Sequence, residues 1–492
     1  MEWIVAFLIF FPLLAAIAIL IVGEAQAKGF ALAASLIELI VSLYCVFLFQ
    51  HNADLQFGID VPWVTSIGLH FFVGIDGISL PLILLTTLLI PFIILSSWAN
   101  NYHRSTSFYA LVLTMQMALV GVFAARDGLL FYLFWEAALI PVYFICLIWG
   151  GENRAHITFK FFVYTLAGSL FMLVALIYLY LHTPNAHSFA MNDLYEAGRS
   201  LSATEQTWIF WMLFIAFAIK MPVFPFHTWQ PDTYTVAPTQ GTMLLSAIML
   251  KMGIFGLIRW LIPIVPLAFA EWGITAVLLS VTGIIYASCI ALVQKDFKRL
   301  IAYSSIAHVG LISGGVLTMS NNGIQGAMVQ MLSHGIIVFA LFYIIDLIEK
   351  RTKTRSLSEL SGIRNVAPVL TTTFVIVMLG SVALPLTSGF VGEFLLISSL
   401  FKYQMIIGSV AGVTIILGAV YMLVAFQKAM SGEVNEKTSS FADLTTMEKL
   451  TLYPAVLLIL VIGIYPALLL DISQAAVTQL VNSLQDLTAL TK

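Results

Sequence analysis

Phe214-Ile-Ala-Phe-Ala-Ile-Lys220-Met-Pro222, with Pro225 close behind, decides how this chain is read. A lysine sits inside an apolar run, and prolines follow it at once. Proline removes an amide donor and frees a carbonyl one turn back. In lipid those groups need water or side chains, so irregular backbone persists there only where protein or a wet cavity surrounds it. A second stretch repeats the arrangement: Pro385 precedes Gly389-Phe-Val-Gly-Glu393-Phe-Leu. One proline alone would be an ordinary kink. Two interruptions, each beside a charge, point to repeats that enclose a midplane site.

The composition agrees with a lipid solvent. Of 492 residues, 60% are hydrophobic and 10% charged, where soluble domains average about 25% charged; the mean hydropathy is +0.99. Lys and Arg total 22 against 25 Asp and Glu, so the net charge of −3 excludes a nucleic-acid-binding protein. The three cysteines, Cys45, Cys146 and Cys289, lie in apolar runs and read as small buried hydrophobes rather than a disulfide scaffold.

Barrel strands would alternate apolar and polar residues. This chain shows continuous apolar runs of about 20 residues, the length of a membrane-crossing helix. Fourteen are expected, over 3–22, 30–49, 78–98, 108–125, 129–149, 161–182, 208–226, 239–259, 273–293, 300–317, 324–348, 368–400, 404–427 and 450–470. The fold class is therefore an all-α polytopic membrane protein. The first run has no basic segment before it and reads as a retained helix, although Ala25-Gln26-Ala27 resembles a cleavage site. With the N-terminus outside, the inner loops hold fifteen of the 22 basic residues, among them Lys28, Arg104, Arg154, Lys295, Lys298, Lys350 and Arg355. The outer loops and tail hold five, Arg126, Arg199, Arg259, Lys402 and Lys492, while Lys220 and Lys251 fall within spans. That asymmetry supports fourteen spans with both termini outside.

Spans four to eight and nine to thirteen form two five-helix units, with the interrupted helix fourth in each. Five is odd, so the second unit starts on the opposite side and is inverted. The expected organisation is 1–107 (three helices and an outer loop), 108–259 (first repeat), 273–427 (second repeat), and 428–492 (last helix and an amphipathic segment). The outer loop 52–77 contains Leu69-His70-Phe71-Phe72-Val73, which suits a strand or an interfacial segment; 184–207 is polar and loop-like; 471–492 is mildly amphipathic through Ile472, Ala476, Leu480 and Leu484 and suits the outer surface.

An ionisable residue near the bilayer centre costs several kcal/mol and is a functional-site hypothesis by default. Six stand out: Glu136, Lys220, Lys251, His308, His334 and Glu393. Each has a plain alternative. An intramembrane histidine can simply bond a neighbouring helix, Glu136 and Lys220 can be a static buried pair, and Lys251 can bond a carbonyl of a broken helix. Glu38, in the second span, reads as structural. As a set the six resemble a chain of protonatable stations. A lysine in low dielectric loses affinity for its proton and a nearby carboxylate restores it, so a change in the Lys220–Glu136 distance loads or releases a proton. Histidine titrates near neutral pH, which suits His308 and His334 to the relay, and Glu393 supplies a terminal acceptor. Moving one charge against 100 mV costs about 2.3 kcal/mol, within reach of shifts of a few pKa units at about 1.36 kcal/mol each.

The motifs carry a resemblance. Lys220-Met-Pro-Val-Phe-Pro-Phe-His227-Thr-Trp-Gln-Pro-Asp232 with Ala237-Pro238-Thr239, Phe134-Trp-Glu136, Gly74-Ile-Asp-Gly-Ile-Ser79, Lys295-Asp-Phe-Lys-Arg-Leu-Ile-Ala-Tyr-Ser-Ser305-Ile-Ala-His308 and Gly389-Phe-Val-Gly-Glu393 resemble the antiporter-like subunits of respiratory complex I, the NADH:quinone oxidoreductase. The resemblance covers nearly the whole chain and is nearest to the M-type branch. L- and N-type members usually carry lysine where Glu393 stands, and the L type continues into a lateral helix that this sequence lacks. The resemblance implies fourteen core helices, broken helices seven and twelve, and a coupling ion pair of Glu136 and Lys220. It makes Lys251 the central relay, places His308 and His334 on a hydrated axis, makes Glu393 the far-half station, and gives His227 and Asp232 an orienting role. It implies a proton-translocating subunit of the bacterial inner membrane, lying between L-type and N-type neighbours in the membrane arm. No cofactor is expected in this chain: no Cys₄ spacing and no dinucleotide-binding glycine pattern is present, and FMN, Fe–S clusters and quinone belong to other subunits. Two other readings remain, a subunit of a multi-subunit Na⁺/H⁺ antiporter and a non-catalytic membrane scaffold.

Overall fold

A computed structural model describes residues 2–184 and 187–490; Lys492, counted above with the outer tail, lies outside the described residues. Eleven of the described helices are long and apolar enough to cross a membrane: Trp3–Val22, Glu24–Leu48, Ser79–Ser96, Ser105–Ala124, Gly128–Trp149, Arg154–Leu181, Thr239–Leu261, Pro266–Leu292, Asn321–Thr352, Met405–Met430 and Thr446–Ile464. The three remaining expected spans correspond to Ala203–Lys220, to Phe297–Val316, and to the pair Pro368–Ser381 and Ser388–Tyr403. Phe297–Val316 is less apolar because it carries Lys298, Arg299, Ser304, Ser305 and His308, and the last pair is divided by a break.

Both expected interruptions are present. Ala203–Lys220 stops at its lysine, and the chain runs irregularly through Pro222 and Pro225 before the short helix Gln230–Val236. Pro368–Ser381 ends before a turn in which Ala383 and Leu386 adopt positive φ, and Ser388–Tyr403 then resumes. Lys220 thus closes a half-helix, whereas Glu393 lies in the second turn of one.

The helices Thr239–Leu261 and Asn321–Thr352 are the centre of the molecule, their apolar windows wholly enclosed by protein. Peripheral helices expose large apolar side chains, such as Ile21, Ile40 and Phe47, as expected of a lipid-facing rim. The sequence does not announce one feature of the central helix. Leu244–Met249 and Leu257–Leu261 are π-helical turns inserted in it.

The loop 52–77 is a two-stranded antiparallel hairpin, Gln56–Val64 with Leu69–Ile75. The polar segment 184–207, expected to be loop, contains the helix Met191–Ser200; Asn185 and Ala186 lie outside the described residues. Ala467–Leu490 is helical, and Ile472, Ala476 and Leu484 pack against protein, chiefly the helices Asn321–Thr352, Pro266–Leu292 and Ser79–Ser96. Lys28 and Lys160, expected in loops, sit on the helices Glu24–Leu48 and Arg154–Leu181. Cys45 and Cys146 are buried, but Cys289 is exposed on the Pro266–Leu292 helix, so the buried-hydrophobe reading fails there.

Charges segregate between the two ends. Lys160 and Arg299 share Asp232, Arg355 bonds Asp296, Lys350 bonds Asp346, and Arg351 bonds Glu448. All of those cations come from the set assigned to inner loops. Arg126 and Arg259, from the outer set, share Asp76. Among the described residues no ion pair joins the two sets.

Candidate proton-conducting axis

The π-turn sets the site. In a π-turn the bond pattern lengthens to i→i+5, which shifts carbonyls off the regular ladder. Lys251 follows the turn directly, and its Nζ donates to the Ser246 carbonyl, five residues back, at 2.9 Å. The same Nζ stands 3.0 Å from Nδ1 of His334. Gly335 permits that approach: a Cβ there would lie 2.9 Å from the Ala247 carbonyl oxygen within the π-turn. His334 Nε2 faces Ser305 Oγ at 3.1 Å.

From His334 the polar row continues. Its ring centroid is 5.8 Å from that of His308. His308 Nδ1 lies 3.0 Å from Glu393 Oε1 without making a directed hydrogen bond. Gln330 Nε2 donates to Glu393 Oε1 at 3.3 Å. Gly392 lets the two helices meet here, since a Cβ would fall 2.9 Å from the Gln330 Cα. A cavity of about 10 Å³ lies among Ser304, His308, Gln330, His334 and Ser381, about the room one water needs. Lys251, His334, His308 and Glu393 are each at least nine-tenths buried, and together they form one contiguous row.

Glu136 and Lys220 stand apart from that row. Ser169 lies near the Glu136 carboxyl, but Glu136 and Lys220 make no contact within 4.0 Å and are absent from the ion pairs of the described residues, so the expected ion pair is not closed in this structure. The Lys220 ammonium instead lies 5.2 Å from the centroid of the Trp135 ring, a cation–π arrangement, and Glu136 Oε1 is buried without a hydrogen-bond partner. The half-helix end is pinned by the Trp229 indole, which donates to the Ile219 carbonyl at 2.9 Å. A Cβ at Gly253 would lie 2.8 Å from both the Phe217 carbonyl and Met221, so the end of the Lys220 helix packs directly on the helix of Lys251.

The two remaining expected residues diverge. His227 is buried against Phe224 and Tyr286, with Nδ1 unpaired. Asp232 bridges Lys160 at 3.1 Å and Arg299 at 3.0 Å, tying Arg154–Leu181 to Phe297–Val316 at the molecular surface. Glu38 is buried with Oε1 unpaired, so the polar neighbour a structural role would give that oxygen is absent.

Sequence reading missed a cluster at the opposite end. Asp76 Oδ1 accepts from the amides of Ile78 and Ser79, both at 3.0 Å. Its Oδ2 lies 2.9 Å from Arg126 and also receives Arg259. Burial alone would raise this carboxyl, but the two guanidinium groups hold it well below the ordinary carboxylate range. The signal was the Gly74-Ile-Asp-Gly-Ile-Ser79 motif, in which a carboxylate caps a helix at the edge of an apolar run.

Residues 125–418 match the family described as "NADH:quinone oxidoreductase/Mrp antiporter, TM". The chain is 40% identical over 485 residues to NADH-quinone oxidoreductase subunit M of Rickettsia prowazekii, covering 97% of this chain and 98% of that one. It is 37% identical over 479 residues to F(420)H(2) dehydrogenase subunit M of Methanosarcina mazei, covering 95% and 96%. A chain of respiratory complex I from Thermus thermophilus with bound NADH superposes with a TM-score of 0.89 at 29% identity, covering 97% of this chain and 99% of the other. This multi-pass chain, with its polar row enclosed at the centre, therefore belongs to the NADH:quinone oxidoreductase/Mrp antiporter family of membrane subunits.

Proposed function

We propose that this chain is the proton-translocating membrane subunit of an NADH:quinone oxidoreductase, moving protons along its central polar row while electron transfer from NADH to quinone proceeds in other subunits. The relatives at up to 40% identity over nearly full length and the complex I superposition support that assignment. The observation that carries the mechanism is the buried row Lys251–His334–His308–Glu393, whose ends are 3.0 Å pairs and whose two histidine rings are 5.8 Å apart between centroids. Buried polar groups in a dry interior are costly, and a row of titrating groups in mutual reach is what proton transfer needs. The relative in an F(420)H(2) dehydrogenase fits a pumping unit that is indifferent to the electron donor.

In this reading the chain crosses the bacterial inner membrane fourteen times, with both termini outside. Residues 108–259 and 273–427 are inverted repeats, flanked by 1–107 and 428–492, and the neighbours are L-type and N-type antiporter-like subunits. FMN, Fe–S clusters and quinone reside elsewhere in the complex. A signal from a neighbour alters the Glu136–Lys220 separation, and Lys220 releases its proton through water to Lys251; His334 and His308 relay it to Glu393. His227 orients the break after Lys220, and Asp232 fixes the surface end of that half. The test is Lys251→Ala in the reconstituted complex: NADH-driven proton translocation should be lost while the complex assembles, and unimpaired translocation would remove the row from the mechanism. The family also includes Mrp antiporters, so a Na⁺/H⁺ antiporter subunit is the second reading. Co-purification with Fe–S and flavin subunits supports the first; co-purification with small membrane subunits alone supports the second.

A further inference from the structure

The helices Thr239–Leu261 and Asn321–Thr352 share two rungs. Lys251 meets His334 at 3.0 Å, and Thr239 Oγ1 donates to Asp346 Oδ1 at 2.7 Å. On both helices the two rungs are twelve residues apart, about 18 Å at an α-helical rise. The Thr239–Asp346 rung opens on a cavity of about 580 Å³, whose wall includes Thr239, Asp346, Lys350, Lys298 and Glu349. This is the face where the inner-loop cations collect. Asp346 is buried yet also bonds Lys350 at 2.5 Å, so its carboxylate sits at the boundary between the cavity and the interior.

A hydroxyl row spans the distance between the rungs. Thr242 Oγ1 donates to the Tyr234 carbonyl at 2.9 Å, Ser246 Oγ donates to the Thr242 carbonyl at 2.7 Å, and the Ser246 carbonyl receives Lys251 Nζ. Positions 239, 242 and 246 follow helical spacing, and the π-turn adds the extra residue that brings 251 onto the same stripe. Thr242 is bonded in this way to the Gln230–Val236 helix, on which the Tyr234 hydroxyl and both ends of the Gln230 side-chain amide are buried without a directed hydrogen bond. Buried polar groups of this kind are satisfied by ordered water in protein interiors.

We propose that Asp346 and the row Thr239–Thr242–Ser246 form a second loading route of Lys251, carrying protons from the inner-face cavity to the lysine beside the one that Lys220 passes on. Each hydroxyl hydrogen is already engaged, so the hydroxyls act through their free lone pairs. They hold waters beside Gln230 and Tyr234, and an excess proton passes along those waters. One proton enters at Asp346, one arrives on Lys251, and no hydroxyl ionises. Thr239, Thr242 and Ser246 are positioning residues for that step. The proposal rests on the reading of Lys251 as the relay station.

The test uses the whole complex in proteoliposomes, with NADH-driven proton translocation as the readout and Lys251→Ala as reference. Removing the three hydroxyls together (Thr239→Val, Thr242→Val, Ser246→Ala) should slow translocation about tenfold, and Asp346→Asn should act in the same direction. Restoring hydroxyls through Thr239→Ser and Thr242→Ser with Ser246 intact should recover the rate, which a packing role would not. Wild-type translocation in either slowed variant, in a background where Lys251→Ala is inactive, overturns the loading route. So does a loss that the serine variant fails to recover. Normal translocation by Lys251→Ala would instead overturn the relay reading on which the route stands.

Discussion

Lys251 Nζ and His334 Nδ1 are 3.0 Å apart, within hydrogen-bond reach, in an enclosed part of the fold. Lys251 has already committed one N–H to the Ser246 carbonyl. When it donates a second to Nδ1, the ring proton must sit on Nε2, which faces Ser305 Oγ. When the proton crosses to the ring, the amine left behind accepts from Nδ1 over the same distance. The contact therefore suits both states of a transfer without rearranging the helices.

Replacing His334 should interrupt the row at its middle. His334→Ala leaves Lys251 with one protein acceptor and opens the path to His308, so proton translocation should fall at least a hundredfold, beyond the roughly 1 kcal/mol of one lost hydrogen bond. Ser305→Ala removes only the Nε2 partner and should cost less than tenfold. Both are read as NADH-driven acidification in vesicles, with complex content checked by native gel. Equal effects would assign His334 to packing.

Glu136 and Lys220 are not in contact, and the Lys220 ammonium lies over the Trp135 ring. Glu136→Ala and Lys220→Ala should each abolish coupled quinone reduction and pumping in an assembled complex. Trp135→Leu should be milder, because a cation–π contact contributes about 0.5–2 kcal/mol. A normal proton-to-electron ratio in the Lys220 variant would count against the switch.

The legible parts of this molecule were those with a local signature. Apolar runs mark the helices, and Pro222, Pro225 and Pro385 mark the breaks, because a missing amide acts on its own turn. The axis residues were legible one by one, since a charge in an apolar run is conspicuous. Their connections were not. The Lys251–His334 contact depends on a π-turn that no residue in Leu244–Met249 signals and on an approach that Gly335, far along the chain, allows. The hydroxyls at Thr239, Thr242 and Ser246 fall out of register with Lys251 until that turn is known. Asp76, Arg126 and Arg259 each stand at the end of an apolar run, where a charge reads as solvated, and only the fold shows them buried together.

That cluster gives a stability prediction. Asp76→Asn leaves two buried guanidinium groups without their counter-charge, a change of about 3–5 kcal/mol, and removes a charged cap from Ser79–Ser96. The purified complex should unfold at lower temperature around this subunit, and the loss should shrink when Arg259→Met is added. Because the carboxyl is held below its ordinary value, its stabilisation is present at neutral pH, above the unfolded-state value, and is lost as pH falls through the depressed one. An unchanged melting profile for Asp76→Asn would show that the arginines find other partners.

Glu393 offers the sharpest comparison, because the fold already contains the geometry that its replacement would create. Glu393→Ala removes the charge opposite His308 Nδ1 and the acceptor of Gln330, so the row ends in a buried void and transfer through the second half should fail. Glu393→Lys places an amine where the carboxylate stood. A lysine amine 3.0 Å from a histidine Nδ1 is the arrangement at Lys251 and His334, and a lysine tail is long and flexible enough to reach His308 from the same backbone position. The lysine variant can still accept and return a proton there, so its translocation should lie well above that of the alanine variant. Pumping assays on the two variants side by side decide the matter: equal damage would mean that the carboxylate is needed for its negative charge, and that the far end of the row is an electrostatic anchor rather than a station.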